Sequence, residues 1–369
     1  MSPPNDQLPD HDVTLVRDHD IPRGRLPSLT SLRFFAAALV VVVHLQAIWP
    51  GATDVLQRGE VGVSFFYLLS GFILTWAPLT NDTPLHFYRR RFARIYPTHL
   101  ITWAVALAVY ASINGGFGSA VGDGLSLVLL QAWIPTSSVA YAANGVSWSL
   151  SVEALFYACF PLLLPLLRRL RNRGLWSLVA IMVATTVLIP VVAPRPGLIY
   201  IFPPSRLPEF VIGVALALLV RAGWRSPLGF APAALVAALA VGIDFVPGFP
   251  EPFAFAAVTV VPFALLIVAA CGSDLRGSSR LAGRAWVRLG EWSFALFMTH
   301  QIVLRAFDAV VPDQNLKVVL LVPVLALCIA IAAATFHFVE RPLERLLRGP
   351  GKPKETTSPV VTSPGRPGH

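Results

Sequence analysis

The segment LPSLTSLRFFAAALVVVVHLQAIWP, residues 26–50, has the length of a transmembrane helix and carries two ionisable side chains. From Phe34 to Val43 it is an unbroken apolar run, with Arg33 at one end and His44 at the other. The 11 positions from Arg33 to His44 correspond to about three helical turns and roughly 16 Å along the axis, so both side chains project from one face. Ionisable groups at such depth are costly, and their presence indicates function.

Each of these two residues alone has a simpler interpretation. Arg33 can be an anchor that extends to the lipid headgroups, and His44 can be a hydrogen-bonded histidine at the far interface. The alignment of both on one stripe of the helix favours a functional pair, and we expect both to face one cleft that is open to the cell interior.

Composition excludes an ordinary soluble domain. The 369 residues are 55% hydrophobic and 13% charged, with a mean hydropathy of +0.65, which indicates a multi-span membrane protein. The net charge of +9 comes from short arginine clusters between apolar segments, a pattern typical of membrane topology rather than nucleic-acid binding. Three cysteines at scattered apolar positions predict neither a disulfide framework nor a metal site. The polar first 30 residues predict no signal peptide.

The apolar segments predict an all-α integral membrane protein of about ten transmembrane helices. The predicted spans lie near residues 31–50, 59–78, 97–113, 149–167, 175–193, 207–221, 228–247, 253–271, 291–311 and 315–338. We expect a membrane domain at 31–345, a cytoplasmic N-terminal tail at 1–30 and a disordered cytoplasmic tail at 346–369. No internal repeat is visible, so a transporter built from duplicated halves gains no support.

A further apolar stretch at 119–136 is interrupted by glycine and proline and is interpreted as an eleventh span or as a re-entrant or interfacial segment. With ten spans and the N-terminus inside, nearly all the arginine clusters fall on the cytoplasmic side, as the positive-inside rule requires. An eleventh span would place the cluster at 168–173 outside. Both termini are therefore predicted to be cytoplasmic, in a multi-pass protein of the bacterial inner or plasma membrane.

Two segments combine polar and aromatic residues in patterns that suit a binding site. The sequence FYRRRFARIYP, residues 87–97, lies in a predicted cytoplasmic loop and could hold phosphates and stack on an adenine, or could be only a membrane anchor. In VGVSFFYLLSGFIL, residues 61–74, the small residues favour close helix packing, while Tyr67 and Ser70 could line a polar cavity.

Other ionisable residues lie within or beside the remaining spans. In NGVSWSLSVEALFY, residues 144–157, Glu153 enters the hydrocarbon region and needs a partner, for which a histidine or an arginine is the obvious choice. Glu153 and His44 both lie toward the outer halves of their helices and could meet. His300 near mid-membrane is as compatible with a structural role as with a functional one. We expect Arg206 and Glu209 to pair at the outer interface, and Glu340 with Arg341 to cap and anchor the last helix.

Together these segments resemble the acyltransferase 3 family of integral membrane O-acyltransferases. The resemblance spans about residues 26–345 and rests on five elements: Arg33 with His44, the run Val63–Gly71, the run Arg90–Pro97, Ser147–Glu153 and Phe338–Pro342. Thr30 stands where many members have an aspartate. No second, hydrolase-like domain is visible after residue 345, so we expect the membrane domain alone.

The resemblance implies transfer of an acyl group from cytoplasmic acyl-CoA to a hydroxyl. The expected acceptor is a carbohydrate or secondary metabolite, such as an exopolysaccharide, glycolipid or macrolide. No bound cofactor, metal or nucleic acid is expected, and membrane lipid is a partner. A multi-pass transporter or exporter without acyl-transfer chemistry is the alternative.

The resemblance also assigns roles to residues of this chain. By the resemblance His44 and Arg33 would be the essential catalytic pair, with Glu153 also functional. From the chemistry of acyl transfer we expect His44 to act as a base or as a transient acyl carrier, with Glu153 fixing its tautomer. The predicted acyl-CoA-binding residues are Arg90, Arg94, Tyr67 and Ser70, and the supporting residues are Ser147, Trp148, His300 and Arg341.

Overall fold

The computed structural model describes residues 24–49, 60–77, 83–115, 118–246 and 248–348. The described ranges are helical and contain no strand, which confirms the all-α class. Most of both predicted tails, residues 1–23 and 349–369, lies outside them. The ten principal helices are α1 Pro27–His44, α2 Val61–Trp76, α3 Pro84–Asn114, α4 Trp148–Leu167, α5 Asn172–Val192, α6 Pro203–Arg221, α7 Phe230–Asp244, α8 Val260–Leu275, α9 Arg284–Val310 and α10 Leu321–Thr335.

Shorter helical pieces connect and extend these ten helices. They are Leu45–Ala47, Ala120–Leu127, Gln131–Trp133, Ser137–Ala140, Gly145–Ser147, Pro196–Tyr200, Glu251–Ala254, Arg280–Ala282, Gln314–Val319, Phe336–Glu340 and Arg341–Arg348. The last two continue α10 without a break.

Helix length and composition show a membrane protein. In the described ranges, six helices are long and apolar enough to cross a membrane: α1, α3, α4, α5, α6 and α10, some with their short extensions. Helices α2, α7 and α8 are apolar but shorter. Helix α9 has 27 residues and carries charged side chains at both ends. The ten-span topology with cytoplasmic termini remains a prediction.

The stretch at 119–136 forms only short helices. Its helix, Ala120–Leu127, has 8 residues and is about 12 Å long, against the roughly 30 Å of a hydrocarbon core. It is packed into the protein, because His99 Nε2 lies 3.0 Å from the carbonyl oxygen of Ser126 and both residues are fully buried. The structure thus shows no helix of membrane-spanning length in this stretch, which favours the re-entrant or interfacial interpretation over an eleventh span.

The arginine-rich segment at 87–97 is helical, and its prediction as a loop is wrong. Helix α3 begins at Pro84, after Thr83, whose side chain accepts a hydrogen bond from the His86 amide at 3.3 Å. It continues through Pro97 to Asn114. A proline removes a single helical hydrogen bond, which neighbouring helices in a membrane protein can compensate. Because this segment is helical, its arginines project in different directions around the axis of α3, and only some of them can face the protein interior.

Small residues bring the helices that carry the candidate residues close together. A Cβ atom on Gly290 of α9 would lie 1.9 Å from the carbonyl oxygen of Thr30 in α1. In the α2–α6 contact, a Cβ on Gly71 would lie 2.1 Å from the Phe210 carbonyl oxygen. The expected packing role of Gly71 is confirmed. The start of α1 is fixed by Asp274, which accepts a hydrogen bond from the Ser28 amide at 3.0 Å.

Replacing Gly290 with alanine should separate α1 from α9. The new methyl group would overlap a backbone carbonyl, which cannot rotate away, so we expect a loss of about 1–3 kcal/mol of stability. A lower melting temperature of the detergent-purified protein would show this. The matched control is Gly242→Ala, where a Cβ meets nothing within 4 Å and alanine is the better helix former by about 1 kcal/mol. Equal melting temperatures for the two variants would contradict the close contact.

The end of α10 is irregular. Residues Phe336–Glu340 form a π-helical turn, and the helix then continues as Arg341–Arg348. Glu340 is 1% exposed and pairs with Arg94 of α3. The prediction that Glu340 and Arg341 cap a helix end is therefore wrong, since the helix continues past them and Glu340 joins α10 to α3.

Candidate active site

A central cavity of about 130 Å³ lies among α1, α2, α3, α4 and α9. Arg33 enters it from α1, and Tyr67 with Ser70 from α2. The other polar side chains in its wall are Arg91, Arg94, Ser149, Glu153 and Tyr157. Four of the five sequence elements behind the family resemblance therefore contribute to one cavity wall.

The charged side chains around the central cavity have an excess of positive charge. Glu153 accepts a hydrogen bond from Tyr157 Oη at 3.1 Å, and its carboxylate is attracted by Arg33, Arg91 and Arg94. The Arg91 guanidinium lies 5.9 Å from the ring centres of both Phe87 and Tyr157. Three guanidinium groups thus face one carboxylate, an arrangement suited to an anionic or strongly polarised ligand.

A second cavity, which we call the arginine cavity, adjoins the central one and has a volume of about 270 Å³. Arg33 and Arg94 line both cavities. The remaining wall residues are Thr30, Glu291, Phe336, Arg341, Glu344, Arg345 and Arg348. Arg94 pairs with Glu340 and, at 3.0 Å, with Glu344. With five arginines and two glutamates in its wall, this cavity has an excess of positive charge.

The third cavity contains His44, and we call it the histidine cavity. It has a volume of about 550 Å³. Aromatic rings form part of its wall, among them Trp148 and Tyr200, whose ring centres are 4.4 Å apart. The polar side chains around it are His44, Gln46, Glu60, Tyr141, Glu251, Gln301 and Arg305. Its aromatic and polar lining suits an uncharged or mixed-polarity organic ligand.

His44 is paired with His300 across the α1–α9 contact. His300 Nε2 lies 3.2 Å from His44 Nδ1. Each Nδ1 also lies 2.9 Å from a backbone carbonyl oxygen one turn earlier, Val40 for His44 and Leu296 for His300. A carbonyl only accepts, so both Nδ1 atoms carry hydrogen, and His300 Nε2 accepts from His44. This tautomer leaves the lone pair of His44 on Nε2, where a general base needs it.

The predicted contact between Glu153 and His44 is wrong. Glu153 lines the central cavity, whereas His44 lines the histidine cavity. The Val40 carbonyl fixes the His44 tautomer, and the side chain that contacts His44 Nδ1 is that of His300, which is fully buried. The expected single cleft between Arg33 and His44 is also not seen, because the two residues share a helix face but open into different cavities.

The sequence predicts Arg90 as a phosphate ligand, but in the structure the neighbouring Arg91, and not Arg90, lies in the wall of the central cavity. Arg91 and Arg94 both line the central cavity, and Arg90 belongs to the wall of neither the central nor the arginine cavity. On a helix, residues three apart differ by about 60° around the axis and residues four apart by about 40°, so the spacing from Arg94 does not by itself decide between Arg91 and Arg90. The choice depends on the neighbouring helices, which could not be predicted from a segment interpreted as a loop.

The remaining predicted site residues are divided among the cavities. Tyr67 and Ser70 line the central cavity, Trp148 the histidine cavity and Arg341 the arginine cavity. Ser147 is buried and donates to the Asn144 carbonyl oxygen at 2.7 Å, so its role is structural. Arg206 and Glu209 pair at 3.0 Å as predicted, but each is only 1% exposed, so the pair is buried.

Comparison with known proteins identifies the chemistry. The sequence model of the acyltransferase 3 family, described as an acyltransferase domain, matches residues 26–337. The chain belongs to the acyltransferase 3 family. This range includes α1 to α10 and the first two residues of the π-helical turn, and so most of the residues around the three cavities. Family membership confirms the resemblance and favours an O-acyltransferase over a transporter without acyl-transfer chemistry.

Two relatives show how far the similarity extends. Acyltransferase MdmB of Streptomyces mycarofaciens is 39% identical over 310 residues, 76% of this chain and 79% of MdmB. O-acetyltransferase OatA of Staphylococcus aureus is 21% identical over 352 residues, 87% of this chain. The match covers 57% of OatA, so this acyltransferase 3 chain spans little more than half of that relative. No solved structure matches the chain.

Proposed function

We propose that this enzyme transfers a short acyl group from acyl-CoA to a hydroxyl of a sugar-containing acceptor. The observation that carries the proposal is the contrast between the two cavities on either side of the central one, the first rich in arginine and the second containing a histidine base. The name of the O-acetyltransferase OatA supports acetyl as the acyl group. The activity as an O-acyltransferase is that of the family.

The arginine cavity suits the phosphates of CoA. Guanidinium groups bind phosphate oxygens in pairs, and Arg33, Arg341 and Arg345 meet at this cavity. The positive-inside rule assigns this arginine-rich end to the cytoplasm, where acyl-CoA is found. Because Arg33 and Arg94 also line the central cavity, an acyl-CoA held there can extend its pantetheine arm and thioester into the central cavity.

The histidine cavity suits the acceptor. Sugar rings and macrolactones present apolar faces together with hydroxyl groups, and the walls combine rings such as Trp148 and Tyr200 with polar side chains. A hydroxyl positioned there can donate to His44 Nε2, the nitrogen that carries the lone pair. We therefore place the acceptor on the opposite side of the site from CoA.

The transfer step follows from these positions. His44 Nε2 accepts the proton of the acceptor hydroxyl as its oxygen attacks the thioester carbonyl carbon, and the C–O bond forms. The tetrahedral intermediate then collapses, the C–S bond breaks and the CoA sulfur leaves with the proton returned from His44. His300 holds the ring in place through its bond to Nδ1. Proton and acyl group balance without any other reactant.

The hydroxyl of Tyr67 is suited to the thioester carbonyl. It lines the central cavity and is buried with no hydrogen-bond partner among the residues that the structure describes. Tyr67→Phe should lower kcat about 5-fold, the effect of losing one neutral hydrogen bond of about 1 kcal/mol. The ring contact with Phe156 at 5.1 Å is kept, so stability should not change. Steady-state rates of CoA release test this, and an unchanged kcat would remove Tyr67 from the carbonyl site.

The function itself is tested with the purified full chain in lipid nanodiscs. Acetyl-CoA is supplied with three acceptor classes: a glycosylated macrolide, muropeptides and exopolysaccharide fragments. We expect CoA release that depends on one acceptor class, and a product heavier by one acetyl group in the mass spectrum. Absence of acceptor-dependent CoA release, and of any acylated product, across all three classes would overturn the proposed donor and acceptors.

A further inference from the structure

Two apolar residues form a shared wall between the central cavity and the histidine cavity. Val63 of α2 and Phe297 of α9 line both cavities. Val63 is 2% exposed and Phe297 is 6% exposed. The start of α4 reaches the same level, since Trp148 lines the histidine cavity and the next residue, Ser149, lines the central one. The two cavities are therefore separated by little more than one layer of side chains.

Phe297 stands beside the histidine pair. It lies one turn before His300 on α9, with ring centres 6.1 Å apart. On its other side it contacts Phe66, with ring centres 6.0 Å apart. A phenylalanine ring has no polar atoms, so trimming it leaves no hydrogen-bonding group unpaired. The shared wall can thus be widened without disturbing the bond between His300 and His44.

We propose that Val63 and Phe297 limit the length of the acyl group that this enzyme transfers. The inference rests on the proposed function, in which the thioester enters from the central cavity and the acceptor hydroxyl is activated by His44. The acyl group leads as the thioester approaches His44, so it is the part of the donor that meets the shared wall. Short, straight acyl groups are the class that such a wall admits, because each added methylene in a confined apolar site changes selectivity about 10-fold or more.

The enzyme's chain-length profile tests this proposal. With the acceptor that supports transfer, kcat/KM is measured for acetyl-, butyryl- and hexanoyl-CoA in the wild type and in Phe297→Ala. We expect the ratio of hexanoyl- to acetyl-CoA to rise at least 10-fold in the variant. Phe297→Trp should lower the butyryl- to acetyl-CoA ratio. Phe297→Leu and Val63→Ala, which are milder changes, should shift the ratio in the same direction as Phe297→Ala if that variant fails to fold.

The matched control is Phe307→Ala. Phe307 also lies on α9 and lines none of the three cavities. Its truncation removes the same side-chain volume without opening the shared wall, so the chain-length ratio should stay at the wild-type value. An unchanged ratio in all the Phe297 and Val63 variants, with acetyl transfer still measurable, would overturn the inference and leave the proposed function intact. A wild type that uses no acyl-CoA would instead overturn the proposed function.

Discussion

Replacing His44 with glutamine should lower acyl transfer by about 10²–10⁴-fold, the usual contribution of a positioned general base. Glutamine can occupy the space of the imidazole but has no basic nitrogen at neutral pH. The binding of acyl-CoA should remain, because His44 lines the histidine cavity and not the arginine cavity. Product formation in the nanodisc assay measures the first effect, and equilibrium binding of radiolabelled acetyl-CoA measures the second.

His337→Gln is the control for this substitution. His337 is exposed and lines none of the three cavities, so its replacement should leave the rate near the wild-type value. A folded His44→Gln protein that transfers acetyl groups at the wild-type rate would exclude His44 as the base.

Replacing Arg33 with glutamine should raise the KM for acyl-CoA and lower kcat/KM about 10- to 100-fold. Arg33 is on the wall of both the central and the arginine cavity, and a hydrogen bond to a charged group contributes about 1.5–3 kcal/mol. The KM for the acceptor should change little, because the acceptor is placed in the histidine cavity. Initial rates over a matrix of both substrate concentrations separate the two constants.

Arg288→Gln removes a positive charge from α9 without touching the cavities. Arg288 is exposed and belongs to the wall of neither the central nor the arginine cavity. The KM of the Arg288→Gln variant for acyl-CoA should equal that of the wild type. If Arg288→Gln and Arg33→Gln raised this KM equally, a general effect of surface charge would explain the result, and Arg33 would lose its specific role.

The helical architecture could be predicted from hydropathy, because long apolar runs in this composition have few other solutions. The ten principal helices lie at the ten predicted spans, with shifted ends. The largest shift is in α3, which starts at Pro84 rather than 97. A run of arginines before a proline has the composition of a loop. In the structure this run is the first part of helix α3, where the Thr83 side chain caps the helix and Arg94 pairs with Glu340 at the end of α10.

The partners of the intramembrane ionisable residues could not be predicted from the sequence as well as the helices could. The chain contains several intramembrane ionisable groups, and the choice among their possible partners depends on which helices touch. Contact between α1 and α9 follows from Gly290, which lets the two backbones meet and brings His300 to His44. Sequence alone offered Glu153 as the partner on the basis of depth, which says nothing about the direction in which a side chain points.

The π-helical turn at Phe336–Glu340 holds one residue more than an α-helical turn. The extra residue is taken up within the turn, so the residues after it keep the face that they would have on a regular helix one residue shorter. Deleting one residue from the regular part of α10 would instead rotate everything that follows by about 100°, and Arg341, Arg345 and Arg348 would leave the arginine cavity although none of them had been substituted. The π-helical turn is thus the place in this helix where evolution can add or remove one residue and keep the anion-binding end of such an enzyme.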